Sequence, residues 1–320
     1  MNPTENPETL SAPNSAETSS TALKMAFIGT GTMGFPMAER FIRAGYSPLI
    51  YDQNPQCVDA LVELGGRRAS DLMQVSSSAN VVFLSLPGPI QVQEVVSGEQ
   101  GLMHNLKPDS VIVDLSTSAA ETSRRLSQQC RTRDIQFLDA PVSGGVKGCR
   151  DGSLILMMGG HQPTVDKIRP LLDVISREVV YLGESGSGNI AKLVHNQLYL
   201  CGEVLFYEAL VLAGKSGVEL PSLIKILNDS GLGGIHTKMS GRVLERQHDQ
   251  PVFSLALAEK DVALALSEGR SLDVPMPSSS AAHQTLLAAR AAGFGNRNFW
   301  SAIEILERNA NFRLDASNAN

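Results

Sequence analysis

Between Lys24 and Gly183, short apolar runs alternate with longer stretches in which apolar positions recur every three or four residues. Short apolar runs bounded by glycine, proline or aspartate are typical of buried strands, whereas the longer spacing is typical of helices. This alternation predicts βαβ units and a mostly parallel, doubly wound α/β sheet of the Rossmann type. The predicted strands cover residues 25–28, 48–51, 81–86, 111–115, 135–138, 153–158 and 178–182, with helices at 33–43, 55–64 and 121–133.

After Gly183 the pattern becomes helical throughout. Helices are predicted at 190–213, 220–227, 254–268, 279–292 and 300–311, with glycine or proline breaks at 231–234 and 275–277. The change of class near residue 185 predicts an α/β domain at 24–185 and an all-helical C-terminal domain at 186–314. Residues 1–23 and 315–320 have few side chains to bury, so we expect disordered tails there.

Composition and charge are those of a soluble protein, with 42% hydrophobic and 19% charged residues and a net charge of -6 over 320 residues. The acidic balance disfavours nucleic acid and anionic membranes as partners, and the apolar runs are too short to span a bilayer. Widely scattered cysteines predict free thiols in a reducing cytoplasm. Residues 1–23 lack the features of a signal or transit peptide, which also predicts a cytoplasmic protein.

Residues Gly29 to Gly34 match the pattern G-x-G-x-x-G between a predicted strand and a predicted helix, and the next strand ends at Asp52. Glycines in this context permit a tight turn, close approach of a pyrophosphate and close helix–strand packing. A carboxylate after the second strand accepts hydrogen bonds from ribose hydroxyls and repels a 2′-phosphate. The pattern therefore predicts a dinucleotide site that prefers NAD, with NADP left open by the nearby Arg67 and Arg68.

Two further loops follow predicted strands at the edge of the sheet where ligands bind in such folds. They are Leu86-Pro87-Gly88-Pro89 and Asp114-Leu115-Ser116-Thr117-Ser118. Their hydroxyls and backbone amides suit contacts with the cofactor; the alternative for Ser116 and Thr117 is capping of the helix ahead of Glu121. The predicted cofactor-binding residues are Gly29, Thr30, Gly31, Thr32, Met33, Gly34, Asp52, Leu86, Pro87, Ser116 and Thr117.

The segment from Asp139 to Gly145 follows the next predicted strand and ends in Ser143-Gly144-Gly145. Its backbone amides carry little steric cover and suit a substrate carboxylate. The alternative is a flexible turn, which needs glycine but does not need a position at this edge of the sheet.

Lys192 and Asn196 stand four residues apart near the start of the first helix of the helical domain. Positions four apart share a helix face, so the ammonium and the carboxamide project side by side. The surrounding residues are mostly apolar, and a lysine there is costly unless a cleft solvates its charge or its proton is used. The position at the domain junction, a common place for ligands, favours a functional lysine over one on a solvated face.

Four blocks in this order resemble the β-hydroxyacid dehydrogenase family from about Lys24 to Glu307. Members include 3-hydroxyisobutyrate dehydrogenase, tartronate semialdehyde reductase, glyoxylate/succinic semialdehyde reductase and, more distantly, 6-phosphogluconate dehydrogenase. The blocks are the glycine loop continued to Ala38, the segment 139–154, the pattern G-x-G-x-x-x-K-x-x-x-N at 186–196, and Lys260-Asp261-Val262-Ala263-Leu264-Ala265.

The resemblance implies hydride transfer between C4 of a nicotinamide and the hydroxyl-bearing carbon of a short hydroxy acid. It implies that Lys192 is the general acid/base, which requires a pKa lowered toward neutrality. Asn196 would then hold the substrate hydroxyl or carboxylate. The residues implied as carboxylate anchors are Ser143, Gly144 and Gly145.

Further expectations follow from the same resemblance. Thr117 would contact the cofactor, and Lys260 would close over the cleft and contact substrate or cofactor. No metal is required. Family members commonly pair through the helical domain, so a homodimer or homotetramer is expected.

Features of more than one family branch occur in this chain. Ala120 stands where many members have proline, and the continuation 121–123 resembles the glyoxylate/succinic semialdehyde reductase branch, which usually uses NADPH. Asp52-Gln53 conflicts with that branch. The leading hypothesis is therefore an NAD-dependent dehydrogenase of a small, 3-hydroxyisobutyrate-like 3-hydroxy acid or its semialdehyde. The alternatives are an NADPH-dependent reductase of glyoxylate, succinic semialdehyde or tartronate semialdehyde, and a non-catalytic Rossmann binding protein.

Two histidines have open roles. His195 precedes Asn196 as a histidine does in 6-phosphogluconate dehydrogenase, and a packing or supporting role is expected for it. His236 lies with Lys238 in the variable loop 231–238, where the side chains either meet an anionic substrate tail or are simply exposed.

Overall fold

The computed structural model describes residues 24–314, so the tails predicted at 1–23 and 315–320 lie outside the described residues. The strands are β1 (Met25–Ile28), β2 (Leu49–Tyr51), β3 (Arg67–Arg68), β4 (Val81–Leu84), β5 (Val111–Asp114), β6 (Gln136–Asp139), β7 (Val142–Ser143), β8 (Leu154–Gly159) and β9 (Ser176–Gly183). The α-helices are α1 (Gly34–Arg43), α2 (Pro55–Glu63), α3 (Leu72–Ser78), α4 (Pro89–Ser97), α5 (Ala120–Arg131), α6 (Gly145–Asp151), α7 (Gln162–Ile175), α8 (Ser187–Lys215), α9 (Leu220–Asp229), α10 (Gly234–Leu244), α11 (Leu255–Ser271), α12 (Pro277–Ala289) and α13 (Ile303–Asn309). Short turns of 3₁₀ or π helix lie at 102–104, 290–294 and 299–302.

The strands form one sheet in the order β3-β2-β1-β4-β5-β6-β8-β7, with β9 paired to β8. Strands β1 to β6 pair in parallel, whereas β8 runs antiparallel to β6 and β7. The register aligns Ile28, Leu84, Asp114 and Asp139 across β1, β4, β5 and β6. The loops after these strands therefore open at one edge, beside the point at β1 where the strand order reverses and ligands bind in such sheets.

Alternate residues of the central strands point to opposite faces and build two separate cores. Phe27 and Phe83 stack at 6.2 Å and pack with Phe41 of α1, while Ile28 faces the other cluster with Leu126 of α5. Each large side chain buried in this way stabilises the fold by about 1.5–3 kcal/mol. Because both faces are covered, the strands read in the sequence as continuous apolar runs.

Helix α8 connects the sheet to the helical domain. Its 29 residues pack on β8 and β9 near the start and on α11, α12 and α13 farther along. One face of the helix is left uncovered: Leu198, Leu205 and Leu212 are 69%, 67% and 71% exposed. Within residues 24–314, α8 is also the helix whose length and composition would allow it to cross a membrane, a test that core helices of soluble proteins pass as well.

The predicted class, a Rossmann-type sheet followed by a helical C-terminal domain, is confirmed. The sequence does not predict α3, α4, α6, α7 or α10. Two of these, α6 and α10, begin at glycines with positive φ, Gly145 at 61° and Gly234 at 49°. Glycine-rich starts interrupt the apolar spacing that marks a helix. The expectation of a loop at 231–238 is therefore wrong for its second half, which is the first turn of α10.

Candidate active site

The glycine loop between β1 and α1 has two structural glycines and one that faces open space. A Cβ on Gly29, whose φ is +88°, would lie 2.2 Å from the Ser85 carbonyl oxygen, and a Cβ on Gly34 would lie 1.9 Å from the Gly29 carbonyl oxygen. A Cβ on Gly31 would have no neighbour within 4 Å. No side chain caps the start of α1 at Met33. The Phe35 N–H donates to the Gly31 carbonyl oxygen at 2.9 Å and Pro36 has no N–H, so this turn offers an anion mainly the positive end of the helix. These residues fit the pyrophosphate of a dinucleotide.

Asp52 follows β2 and lies over the glycine loop. Its Oδ2 accepts hydrogen bonds from the Thr30 backbone N–H at 2.5 Å and from the Thr30 hydroxyl at 3.1 Å. Its Oδ1 accepts from the Asn54 N–H at 2.8 Å. The carboxylate thus stands beside the loop, in the place where a ribose acceptor is needed.

The two arginines that leave NADP open have other partners. Arg67 donates from Nε to the Ser47 carbonyl oxygen at 3.2 Å, and Arg68 is paired with Asp59. The side chains of Arg67, Arg68 and Asp59 are all exposed. In these contacts neither guanidinium points toward Asp52.

Ser116 connects the two loops predicted to contact the cofactor. Its hydroxyl accepts a hydrogen bond from the Leu86 N–H at 2.9 Å, and its own N–H donates to Asp114 Oδ1 at 3.0 Å. Helix α5 begins after Ala119 with no side-chain cap. The alternative in which Ser116 or Thr117 caps this helix is therefore wrong, and Ser116 instead fixes the loop at Leu86.

Asp114 is fully buried beneath these loops. Burial raises its pKa to about 7; hydrogen bonds from Ser116 act in the opposite direction, as does the charge of Lys260, and nearby Asp139 raises it further. Among the described residues, its Oδ2 atom has no hydrogen-bond partner. A carboxyl of this kind holds its proton to a higher pH than an ordinary aspartate.

Lys260 of α11 reaches from the helical domain to both loops predicted to contact the cofactor. Its Nζ donates to the Pro87 carbonyl oxygen at 3.1 Å and to the Thr117 carbonyl oxygen at 2.9 Å, and it lies 3.0 Å from Asp261 Oδ1. Lys260 thus connects the helical domain to the sheet, in contact with residues predicted to line the cofactor site.

Lys192 and Asn196 lie on one face of α8, and Asp261 of α11 is close to both. Burial lowers the pKa of Lys192, the charge of Asp261 raises it, and the charge of Lys260 lowers it. Asn196 is buried and donates from Nδ2 to Asp261 Oδ2 at 2.6 Å. A desolvated lysine with a lowered pKa can exchange a proton at a pH where an ordinary lysine stays charged.

His195 connects Asn196 with the predicted carboxylate anchor. Because Asn196 Nδ2 donates to Asp261, its Oδ1 accepts from His195 Nδ1–H, at 2.9 Å. In the neutral imidazole Nε2 is then an acceptor, and it lies 3.3 Å from the Ser143 hydroxyl. His195 therefore lies between Ser143 and Asn196, in keeping with the packing or supporting role expected for it, and the contact with Ser143 is one that sequence spacing does not reveal.

The Ser143 loop is partly strand and partly helix. Ser143 ends β7, Gly144 has a φ of +135° and Gly145 a φ of +61°. A Cβ on Gly145 would have no neighbour within 4 Å, so the backbone there is open to a ligand. Residues with a side chain rarely adopt these φ values, which accounts for the glycines at both positions.

His236 has an internal partner. Its Nδ1 lies 3.0 Å from Oε1 of Glu203, a buried residue of α8, and its ring stacks on Tyr199 and Phe206 at 6.2 Å. The contact with Glu203 ties α10 to α8. Lys238 is exposed.

Three buried aspartates, Asp114, Asp139 and Asp261, were not assigned a role from the sequence. Asp114 and Asp139 end aligned strands, and Asp261 directly follows Lys260. An aspartate that ends an apolar strand is the sequence signal that points to the first two. In residues 24–314, no group of three or more His, Cys, Asp or Glu side chains is placed to hold a metal ion.

The fold and the site define an oxidoreductase with a Rossmann-type nucleotide domain. Residues 24–183 match the family model of the NAD-binding domain of 6-phosphogluconate dehydrogenase. Residues 186–306 match the model of the NAD-binding region of NADP-dependent 3-hydroxyisobutyrate dehydrogenase. The chain belongs to the β-hydroxyacid dehydrogenase family, and it is an NAD(P)-dependent oxidoreductase of the class that acts on the CH–OH group of hydroxy acids.

Individual relatives cover nearly the whole chain. The 2-(hydroxymethyl)glutarate dehydrogenase of Eubacterium barkeri is 31% identical over 90% of this chain and 96% of that protein. The mitochondrial 3-hydroxyisobutyrate dehydrogenase of Rattus norvegicus is 32% identical over 90% of this chain and 88% of that protein. The structure of Mycobacterium tuberculosis 3-hydroxyisobutyrate dehydrogenase with L-serine aligns with a TM-score of 0.79 and 26% identity, covering 89% of this chain and 99% of that chain.

Proposed function

We propose that the protein is an NAD-dependent dehydrogenase that transfers a hydride between nicotinamide and a small 3-hydroxy acid, or its semialdehyde, with Lys192 as the general acid/base. The observation that carries this proposal is the desolvated Lys192 ammonium at the domain junction, close enough to Asp261 and Lys260 to feel the charge of both. Its lowered pKa lets it exchange a proton at a lower pH than an ordinary lysine does.

For the cofactor, the open space at Gly31 and the uncapped start of α1 suit the pyrophosphate. Asp52 would accept the ribose hydroxyls, and the loops that contain Pro87 and Thr117 would flank the nicotinamide. When bound, the nicotinamide supplies or accepts the hydride. The carboxylate of Asp52 would repel a 2′-phosphate, which supports NAD over NADP.

For the substrate, the backbone of Gly144 and Gly145, open to a ligand at Gly145, would hold the carboxylate together with the Ser143 hydroxyl. The relative from Mycobacterium tuberculosis was solved with L-serine, itself a 3-hydroxy acid. This supports a short substrate whose hydroxyl lies one carbon beyond the α-carbon. Lys260 would stand between the substrate and cofactor loops.

Lys192 would handle the proton of the reacting oxygen. In oxidation, the neutral amine accepts the hydroxyl proton; in reduction, the ammonium donates a proton to the forming alkoxide. Asn196 already donates to Asp261, so it would offer the remaining N–H of its amide to the substrate oxygen.

Substitution of Lys192 tests the role of the lysine. Lys192→Ala should lower kcat by about 10²- to 10⁴-fold, the usual contribution of general acid–base catalysis, and should change the NADH dissociation constant by less than about twofold. The matched control is Lys238→Ala, which removes an exposed lysine of α10 and should leave both quantities unchanged. A Lys192→Ala enzyme with near wild-type kcat contradicts the proposed chemistry.

Initial rates with NAD(H) and NADP(H) on a panel of short acids test cofactor and substrate. The panel is 3-hydroxyisobutyrate, glycerate, 4-hydroxybutyrate, L-threonate, L-serine and 6-phosphogluconate, with glyoxylate, succinic semialdehyde and tartronate semialdehyde for reduction. We expect the highest kcat/KM with NAD and a 3-hydroxy acid. A strong NADP preference with the aldehyde acids supports the reductase alternative, and nucleotide binding without turnover supports the non-catalytic one.

The proposal also covers the oligomeric state, the domain boundaries and the cellular compartment of the protein. The uncovered leucines of α8 support a homodimer or homotetramer formed through the helical domain. Domains at 24–185 and 186–314 are supported by the end of β9 at Gly183 and the start of α8 at Ser187. Free thiols at all four cysteines support a reducing compartment such as the cytoplasm.

A further inference from the structure

We propose that Asp139 is a positioning residue for the reaction, because its carboxylate fixes the start of α8 and with it the direction in which Lys192 projects. This inference rests on the proposed role of Lys192. Asp139 is buried at the end of β6, and both of its carboxylate oxygens accept hydrogen bonds from backbone N–H groups.

Asp139 supplies the N-terminal cap that α8 lacks. Its Oδ1 accepts from the Gly186 N–H at 2.7 Å and its Oδ2 accepts from the Asn189 N–H at 2.9 Å. Gly186, the residue before the helix, offers no side chain for this purpose. Both oxygens are therefore engaged by N–H groups at the positive end of a helix, where a carboxylate is most favourable.

Two glycines allow this close approach. A Cβ on Gly159 of β8 would lie 2.6 Å from Asp139 Oδ1, and a Cβ on Gly188 of α8 would lie 2.2 Å from the Met157 carbonyl oxygen. The first turn of α8 is thus pressed against β6 and β8 with no space for another side chain. A helix held this tightly has one register relative to the sheet.

Asn189 adds a second connection from the same turn. Its Oδ1 accepts from the Ser118 N–H at 2.9 Å, and its Nδ2 donates to the Ser123 hydroxyl at 3.0 Å. Ser118 follows Thr117, whose carbonyl oxygen accepts from Lys260. A buried polar network therefore connects the start of α8 to the loop predicted to contact the cofactor.

The network controls the direction of Lys192 through helix geometry. Asn189, Lys192 and Asn196 are separated by three and four residues, so they lie along one face of α8. Each residue turns the helix by about 100° and advances it by 1.5 Å, so a small slip at the first turn redirects the lysine. A displacement of about 1 Å at a reacting group can lower a rate by about 10²-fold.

Asp139→Asn tests the inference, because the amide keeps the shape but leaves either the Gly186 N–H or the Asn189 N–H without an acceptor. We expect kcat to fall by about 10- to 100-fold per folded, NADH-binding site, with the NADH dissociation constant within about twofold of wild type. The charged groups that face Lys192 are Asp261 and Lys260. A shifted helix changes the burial of the ammonium and its distance from both, so the limb of the pH–rate profile due to Lys192 should also move.

The matched control is Asp71→Asn. Asp71 caps α3 by accepting from the Gln74 N–H at 2.7 Å, at an exposed site, and belongs to none of the residues proposed to bind substrate or cofactor. This variant should keep the wild-type kcat and pH profile. If Asp139 served stability alone, its variant would unfold at a lower temperature but its folded fraction would behave like the control.

A double-mutant cycle separates this inference from the proposed function. In the Lys192→Ala background, Asp139→Asn should lower the residual rate by less than about threefold, because the group it positions is absent. An active Lys192→Ala enzyme defeats the proposed function whatever Asp139→Asn does. An inactive Lys192→Ala together with an Asp139→Asn enzyme of normal kcat and pH profile overturns only the positioning role.

If Asp139→Asn does not fold, Asn189→Ala tests the same polar network. This variant keeps both hydrogen bonds to Asp139, since they come from the backbone, and removes only the connections to Ser118 and Ser123. A several-fold lower kcat with a displaced pH limb supports the network. An unchanged limb and kcat contradict it.

Discussion

Replacement of Gly31 by alanine separates cofactor binding from folding more cleanly than any other change in the glycine loop. In the folded protein, the new Cβ would meet no atom within 4 Å, and Gly31 is not among the glycines with positive φ. Alanine also reduces the freedom of the unfolded chain, which stabilises a protein by about 0.4–1 kcal/mol where the backbone accepts it. The free energy of unfolding should therefore stay the same or rise slightly.

The cost should appear only when the dinucleotide binds. The methyl group would occupy the space through which the pyrophosphate approaches the backbone. Extra volume in a close-packed contact costs about 1–3 kcal/mol. At about 1.4 kcal/mol per tenfold change, the dissociation constant of NADH should rise by about 5- to 150-fold.

NADH fluorescence titration measures the dissociation constant, and denaturant unfolding without cofactor measures stability. Gly34→Ala provides the contrast, because its Cβ would lie 1.9 Å from a backbone oxygen, and it should destabilise the fold itself. Gly241→Ala, at an open position of α10, should alter neither binding nor the site. A Gly31→Ala protein that binds NADH as tightly as wild type would refute the assignment of this loop to the pyrophosphate.

Two further predictions concern the buried acid and the uncovered helix face. The pKa of Asp114 is raised from 3.8 to about 7, a difference of about 3 units or, at 1.36 kcal/mol each, about 4 kcal/mol at most. Because the folded protein binds this proton more tightly than the unfolded chain, the contribution to stability is present at low pH and is lost as pH rises from about 4 to 7. Asp114→Asn should flatten that part of the stability–pH curve measured by urea unfolding, and coincident curves for the two proteins contradict the raised pKa. Replacement of Leu198, Leu205 and Leu212 by glutamine should convert an oligomer to monomers in sedimentation velocity, because each leucine contributes about 1.5–3 kcal/mol when buried by a second copy. An unchanged sedimentation coefficient contradicts pairing through this face of α8.

The sequence predicts features that depend on neighbouring residues. The glycine loop was recognised because Gly29 to Gly34 and the strand before them are contiguous, and turn geometry is local. The central strands were recognised because burial on both faces makes them continuously apolar. Lys192 and Asn196 could be assigned to one face because helix periodicity places residues four apart together.

Features that depend on distant residues could not be predicted from the pattern. Lys260 donates to carbonyl groups 173 and 143 positions away, and the aspartate that caps α8 lies 47 positions before the first residue it contacts. The partners in these contacts are backbone groups, which every residue has. The residue types in the sequence therefore do not indicate which positions will be in contact. The sequence does not predict the start of α10 for a different reason: the glycines there obscure the helical spacing of apolar residues.

The origin of the α8 cap has a consequence for how such enzymes can be recombined. The helix that carries Lys192 begins the second domain, but the carboxylate that holds its first turn comes from β6 of the first. The two domains are therefore not interchangeable parts. A chimera that joins the nucleotide domain of one relative to the helical domain of another inherits its lysine from one parent and the support for that lysine from the other. Crossover points placed before β6, so that Asp139 and α8 come from the same parent, should preserve the pairing that a crossover near residue 185 divides.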